Sequence, residues 1–162
     1  MGGTRGIEKR RLGRTGLEVT PICFGTSGLG DMPSTYGYRV DEERGRATVR
    51  AILAGPVNFL DTSRNYAMGR SEQRIGAVIR EMGGLPAGFV LSTKLDRDME
   101  TRVFDAARAR RSFEESLEAL HLDRVQLLHL HDPEHAVELG PITRPGGAIA
   151  ELFKLKEIGR AS

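Results

Sequence analysis

Four times along this chain, a short apolar run is followed by a segment whose apolar residues recur every three or four positions. That alternation constrains the fold more than any other feature, because strands joined by helical crossovers lie parallel in one sheet. The first run, Pro21-Ile-Cys-Phe-Gly25, stops at glycine and reads as a buried strand. Asp41 caps a helix running to about Ala54, with Val49, Ile52 and Leu53 on one face and Gly55-Pro56 ending it. Val57-Asn-Phe-Leu60 is the second strand, followed by a polar loop from Asp61 to Arg70. A helix starts near Ser71; Ile75, Val78, Ile79 and Met82 share its apolar face, and Gly83-Gly84 closes it. Phe89-Val-Leu-Ser-Thr93 is the third strand, and a helix from about Phe104 to Leu120 follows, with Phe113, Leu117 and Leu120 aligned. Val125 to His131 is the fourth strand, and Pro145-Gly-Gly147 precedes a last helix with Ile149, Leu152 and Phe153 on one face. Ahead of these units, Arg11 to Thr20 alternates around Gly13 and Gly16 as a small hairpin. The chain stops at Gly159-Arg-Ala-Ser162, where a fifth strand is expected to begin.

A length of 162 residues implies one domain over 1–162. It is well short of the roughly 250 residues of a complete eight-fold barrel. Hydrophobic residues at 39% and charged residues at 28% predict a globular fold. A formal net charge of +2 gives no argument for nucleic acid or a membrane as partner. The basic run Arg108 to Arg111 reads as a solvated helix face. Cys23 is the only cysteine, so no disulfide forms within the chain and a thiolate metal site is not expected. Its neighbours Ile22 and Phe24 suggest a buried, inert thiol. No apolar run approaches the roughly 20 residues of a membrane span. Met1 to Arg11 carries charge without the apolar stretch of a secretory leader, which makes the cytoplasm the expected location.

In a parallel α/β fold, functional groups gather at the C-terminal ends of the strands. Asp61 directly follows the second strand, Tyr66 lies in the loop after it, Lys94 ends the third and His131 ends the fourth. Each has an ordinary alternative: a turn cap, a surface aromatic, a solvated cation, a structural histidine. Together they suit carbonyl reduction. Hydride transfer to a C=O leaves an alkoxide that needs a proton donor. A free tyrosine, with a pKa of about 10, is a poor donor near neutrality. A Lys ammonium ~4 Å away, at an effective dielectric of ~20, contributes ~4 kcal/mol toward the tyrosinate. A neighbouring Asp keeps that Lys charged, and a His hydrogen-bonds and orients the substrate oxygen. The hydride must come from a cofactor, since no side chain supplies one.

Asn58-Phe-Leu-Asp-Thr-Ser-Arg-Asn-Tyr-Ala-Met-Gly-Arg-Ser-Glu72, followed by Ile75-Gly76, resembles the first signature of the aldo-keto reductase family. Leu91-Ser-Thr-Lys94 resembles its lysine strand and Leu128-His-Leu-His-Asp-Pro133 its histidine strand. Arg11 to Val19 resembles the hairpin across the barrel bottom, and Phe24-Gly-Thr26 the first strand. The loop wording is most similar to the branch of aldose, fucose and pyridoxal dehydrogenases. The resemblance implies an α/β fold of TIM-barrel type, here partial, with about four βα units and an N-terminal β-hairpin. It implies a catalytic tetrad of Asp61, Tyr66, Lys94 and His131, the last because the family's histidine directly precedes an X-Pro pair. It implies NADP as cofactor, with NAD as the alternative, near Gly25, Thr26, Ser27 and Asp61, and a small carbonyl or sugar substrate. Two residues depart from the family pattern. Ala67 stands where the branch has glycine, and His121 where the family has a helix-ending glycine.

Two other readings follow from the residues. His129 and His131 are two apart and share a strand face, with Asp132, Glu134 and His135 close by, a set that could serve a metal-dependent hydrolase. A barrel without strands five to eight leaves unpaired edges on its first and fourth strands. Ile22, Cys23, Phe24, Val125, Leu127 and Leu128 are then expected beside the gap, giving self-association or an inactive remnant.

Overall fold

The computed structural model describes residues 6–161. Residues 1–5 of the stretch read above as lacking a leader, and Ser162 at the point where a fifth strand was expected, lie outside the described residues. Strands β1 (Arg10–Arg11) and β2 (Glu18–Val19) pair antiparallel as the expected hairpin. Strands β3 (Phe24–Gly25), β4 (Phe59–Asp61), β5 (Val90–Leu95) and β6 (Leu127–Leu130) then form one parallel sheet in sequence order. A short helix α1 (Pro33–Tyr36) and the longer α2 (Glu42–Ala54) link β3 to β4. Helix α3 (Arg70–Met82) links β4 to β5, and α4 (Ala106–Leu120) links β5 to β6. A one-turn helix α5 (Gly140–Thr143) and α6 (Ala148–Glu157) follow β6. This is the partial barrel that the alternation predicts.

Asp41 is the cap that the sequence signals, and Asp105 is a second that the structure adds: Asp41 accepts from the Arg44 N–H at 2.7 Å and Asp105 from the Arg108 N–H at 2.8 Å, each satisfying an orphan donor of a helix's first turn. Helix α4 ends on His121 with φ 54° and ψ 46°, a left-handed cap that glycine ordinarily takes. Gly76 lets α3 and α4 approach closely: a Cβ there would overlap the Ala119 carbonyl oxygen and lie 2.8 Å from Leu120 Cα.

Strand residues alternate between two faces. Leu60, Leu91, Leu95 and Leu128 face the helices and join Val49, Ile75, Ile79, Phe113, Leu117 and Leu120 in the main core. On the other face Val90 and Leu127 pack with Val19 of the hairpin, and Leu12, Leu17 and Phe59 lie against them. The hairpin therefore plugs one end of the curved sheet. Asn58 ties it there, donating to the Glu18 and Gly88 carbonyls at 2.9 and 2.7 Å while its side-chain oxygen accepts the Thr20 N–H at 2.8 Å.

Several expectations need correction. The first strand is not buried: Phe24 and Gly25 are both exposed, because among the described residues β3 has β4 alone as a strand neighbour. Cys23 is exposed for the same reason. Val125, Leu127 and Leu128 do not line an open gap; the hairpin covers Leu127, and the helices cover Val125 and Leu128. Met82 is exposed, since α3 reaches its Gly83 cap beyond the last core contact. Helix α6 buries Ala148, Glu151 and Leu155 and leaves Phe153 outside, because Glu151 turns inward to Arg110, 2.5 Å away. Arg110 and Arg108 are accordingly not a solvated face; Arg108 reaches both carboxylate oxygens of Glu115, at 3.2 and 2.9 Å.

Candidate active site

The register of the parallel strands decides which side chains meet. Gly25 lies opposite Asp61, Asp61 opposite Ser92, and Lys94 opposite His129. The inward face therefore carries Asp61, Ser92 and Lys94 side by side. Lys94 Nζ donates to Asp61 Oδ2 at 2.6 Å and to the Thr62 carbonyl at 2.7 Å, and lies 3.1 Å from the Tyr66 hydroxyl. The Ser92 hydroxyl donates to the other Asp61 oxygen at 2.9 Å. The Lys94 side chain is 13% exposed, so its ammonium is largely withdrawn from water and held by fixed partners.

Tyr66 reaches this point through a tight loop. Its N–H bonds the Ser63 carbonyl at 3.1 Å. Ala67, Met68 and Gly69 follow with φ of 52°, 58° and 88°. Ala67 thus occupies the left-handed region that the family's glycine suits. Gly30 accommodates it, since a Cβ on Gly30 would overlap that of Ala67. Arg70 fastens the two loops by donating to the Gly30 carbonyl at 3.0 Å.

His131 stands just past β6, its ring edge-on to Tyr66 with centroids 5.7 Å apart. Its Nδ1 lies 2.5 Å from Asp96 Oδ1 and 3.0 Å from Ser63 Oγ. Asp96 is fully buried. The sequence reading singled out neither Asp96 nor Ser63. The signal was available in the two-residue period, for Ser63 follows Asp61, and Asp96 follows Lys94, at the spacing that returns to the same face.

Of the residues expected near the cofactor, Gly25 is exposed, with open space where a Cβ would stand. Thr26 is buried; its N–H and hydroxyl bond the Asp61 carbonyl at 3.1 and 2.9 Å, and its own carbonyl accepts the Ser71 hydroxyl at 2.8 Å. Ser27 is half-buried and accepts the Tyr36 hydroxyl at 2.6 Å. Among the described residues, no cluster of three or more His, Cys, Asp or Glu side chains is placed to hold a metal ion. Asp132, Glu134 and His135 are exposed, and His131 Nδ1 is taken up by Asp96.

The parallel strands thus carry an Asp–Lys–Tyr cluster and a histidine at their C-terminal ends. The Aldo/keto reductase family matches residues 21–161, and the chain belongs to that family. It is 39% identical over 155 residues to an L-galactose dehydrogenase of Arabidopsis thaliana, covering 95% of this chain and 46% of that protein. It is 30% identical over 173 residues to a D-threo-aldose 1-dehydrogenase of a Pseudomonas species, covering 90% and 48%. Among solved structures, the holo form of an aldo-keto reductase from Bacillus halodurans aligns with a TM-score of 0.71 at 25% identity, over 96% of this chain and 48% of that one. The chain thus spans about half the length of the relatives it matches. Among the described residues, no helix is long and apolar enough to cross a membrane.

Proposed function

We propose that this chain carries the catalytic half of an NADP-dependent oxidoreductase, with NAD as the alternative, that interconverts a small carbonyl compound (aldehyde, ketone or sugar lactol) and an alcohol. One observation carries the reading: the Lys94 ammonium is fixed between the Asp61 carboxylate and the Tyr66 hydroxyl, at 2.6 and 3.1 Å. Asp61 and the Thr62 carbonyl hold Lys94 in place, and Lys94 stabilises negative charge on the Tyr66 oxygen when its proton leaves. Tyr66 is the general acid toward a carbonyl and the general base toward an alcohol. His131 orients the substrate oxygen. A nicotinamide cofactor held beside Gly25, Thr26, Ser27 and Asp61 would supply or accept the hydride. The exposed Gly25 offers a flat, side-chain-free surface beside Asp61, and Ser27 a hydroxyl; the buried Thr26 fixes that loop against Asp61. The sugar substrate class is supported by the names of the two dehydrogenase relatives, and the cytoplasm is the location we assign.

Quenching of intrinsic fluorescence by NADPH or NADH tests cofactor binding. Tyr66→Phe tests the role of the hydroxyl: carbonyl reduction should fall at least about 10²-fold with cofactor binding preserved. Near-normal turnover by that variant would refute the assignment, and a chain that binds neither cofactor would be the inactive remnant. A second reading, self-association, is favoured by Ile22 and Phe24, which are 54% and 36% exposed at the outer edge of the sheet. Light scattering on a sized sample tests it; a stable 17.8 kDa monomer would exclude it.

A further inference from the structure

We infer that Asp96 is a positioning residue that fixes the proton of His131 on Nδ1 and so dedicates Nε2 to the substrate oxygen, an inference that rests on the oxidoreductase reading above. Asp96 Oδ1 and His131 Nδ1 are 2.5 Å apart. Such a contact holds one proton, and the two donors that face the other carboxylate oxygen mark Asp96 as the acceptor. The proton therefore belongs to Nδ1, with the carboxylate as acceptor. The other carboxylate oxygen is occupied as well: Oδ2 accepts the Ser63 hydroxyl at 2.8 Å and the Asn65 N–H at 3.2 Å. The backbone is anchored too, since the Asp96 N–H donates to Ser112 Oγ at 2.9 Å and the Asp96 carbonyl accepts the Arg108 Nε–H at 3.1 Å.

Asp96 is fully buried and does not touch a substrate itself. It acts through the ring. Nε2 has the half-exposed Asp132 carboxylate 3.7 Å away, beyond hydrogen-bond distance, and is the ring atom left for a ligand. With the proton held on Nδ1, a neutral His131 presents a lone pair at Nε2 and accepts the hydroxyl of an alcohol. A doubly protonated ring presents N–H and donates to a carbonyl. The opposite tautomer would offer N–H in the neutral state, so Asp96 determines what the ring does.

The geometry makes Asp96→Asn informative. The Asn65 N–H remains a donor, so the new amide turns its oxygen toward Asn65 and its NH2 toward His131. Nδ1 must then accept, and the ring proton moves to Nε2. In serine-protease triads the same carboxylate-to-amide change keeps the geometry and costs about 10⁴-fold through the wrong tautomer.

The test is ¹⁵N NMR of the histidine-labelled chain at a pH where the His131 ring is neutral, assigned with His131→Gln. We expect a protonated Nδ1 and a bare Nε2 in the unmutated chain, the reverse in Asp96→Asn, and the unmutated pattern in Ser63→Ala. A bare Nδ1 in the unmutated chain, or an unchanged pattern in Asp96→Asn, overturns the proposal. If Asp96→Asn does not fold, the other two spectra decide alone. In the form of the protein that turns over substrate, at a pH where the ring is neutral, Asp96→Asn should lower kcat for alcohol oxidation by about 10²- to 10⁴-fold with cofactor affinity retained and spare carbonyl reduction, whose oxygen accepts the new Nε2–H; an oxidation kcat within about three-fold of normal overturns it. Loss of cofactor binding in the unmutated chain would sink the oxidoreductase reading and leave the spectra free to decide this one.

Discussion

Glu72 offers a quantitative test of how tightly the helices close over the sheet. It lies on α3, fully buried, with one carboxylate oxygen accepting the Thr93 hydroxyl at 2.6 Å. Its other oxygen has no hydrogen-bond partner among the described residues. Burial pushes this carboxyl up from 4.5 to about 7, against Thr93, Ser116 and Arg64, which favour the charge. Between those two values the unfolded chain has released the proton while the folded chain still holds it. The folded state therefore binds more protons, and stability falls as pH rises, by up to ~1.4 kcal/mol per pH unit. By pH 8 this one group has removed about 3 kcal/mol, a large share of a net stability of ~5–15 kcal/mol. Glu72→Gln keeps the shape and removes the titration. The advantage of the variant over the unmutated chain should grow by about 3 kcal/mol from pH 4.5 to pH 8. Urea unfolding of both proteins across that range measures it, and subtracting one curve from the other cancels the remaining groups. A difference that stays flat to within about 0.5 kcal/mol would mean that Glu72 sees water, and that α3, α4 and β5 do not seal as described.

Two further outcomes follow from close approaches and charge. Gly76→Ala should destabilise the chain by at least ~2 kcal/mol, because its Cβ overlaps backbone of α4 that cannot swing away; a melting temperature within about 2 °C of normal would refute that packing. Cys23 is exposed, but partial desolvation, with the Asp61 carboxylate adding to it, pushes its thiol up to about 11. Alkylation at pH 7 should therefore run far slower than for a free cysteine and rise about tenfold per pH unit up to pH 10; a rate equal to that of free cysteine would refute the assignment.

The order of elements, the helix caps and the parallel sheet were legible because each depends on local spacing. Asp41 illustrates this: an acceptor side chain three residues from the N–H that donates to it needs no knowledge of the rest of the fold. Asp61, Tyr66, Lys94 and His131 were legible as strand-end residues of suitable chemistry. Asp96 was missed: the two-residue period from Lys94 puts it on the same face, but it sits in the charged stretch Asp96-Arg-Asp98, which reads as loop, and nothing local marks it as buried. Its meaning depends on lateral neighbours, Ser63 from one strand end and His131 from another. Burial of the first strand was misjudged for a related reason. Ile22, Cys23 and Phe24 are apolar enough for a core, but an edge position is a property of the sheet and leaves no mark on the run itself.

The inward column of each strand changes character along its length. Phe59 gives way to Asp61 and Ser63, Val90 to Ser92, Lys94 and Asp96, and Leu127 to His129 and His131. At the hairpin end, apolar burial holds the sheet together at about 25 cal/mol per Å². At the other end, a withdrawn charge is tolerable only when paired and hydrogen-bonded. Lys94 meets that condition through Asp61 and the Thr62 carbonyl, and Asp96 through His131, Ser63 and the Asn65 N–H. Each of these pairs links one strand, or the loop just past its end, to the next. The site's polar groups therefore contribute to lateral register as well as to chemistry, whereas the apolar end would tolerate exchanges among residues of similar volume. The strand ends that carry the candidate chemistry are thus also those where a single substitution is felt by the neighbouring strand.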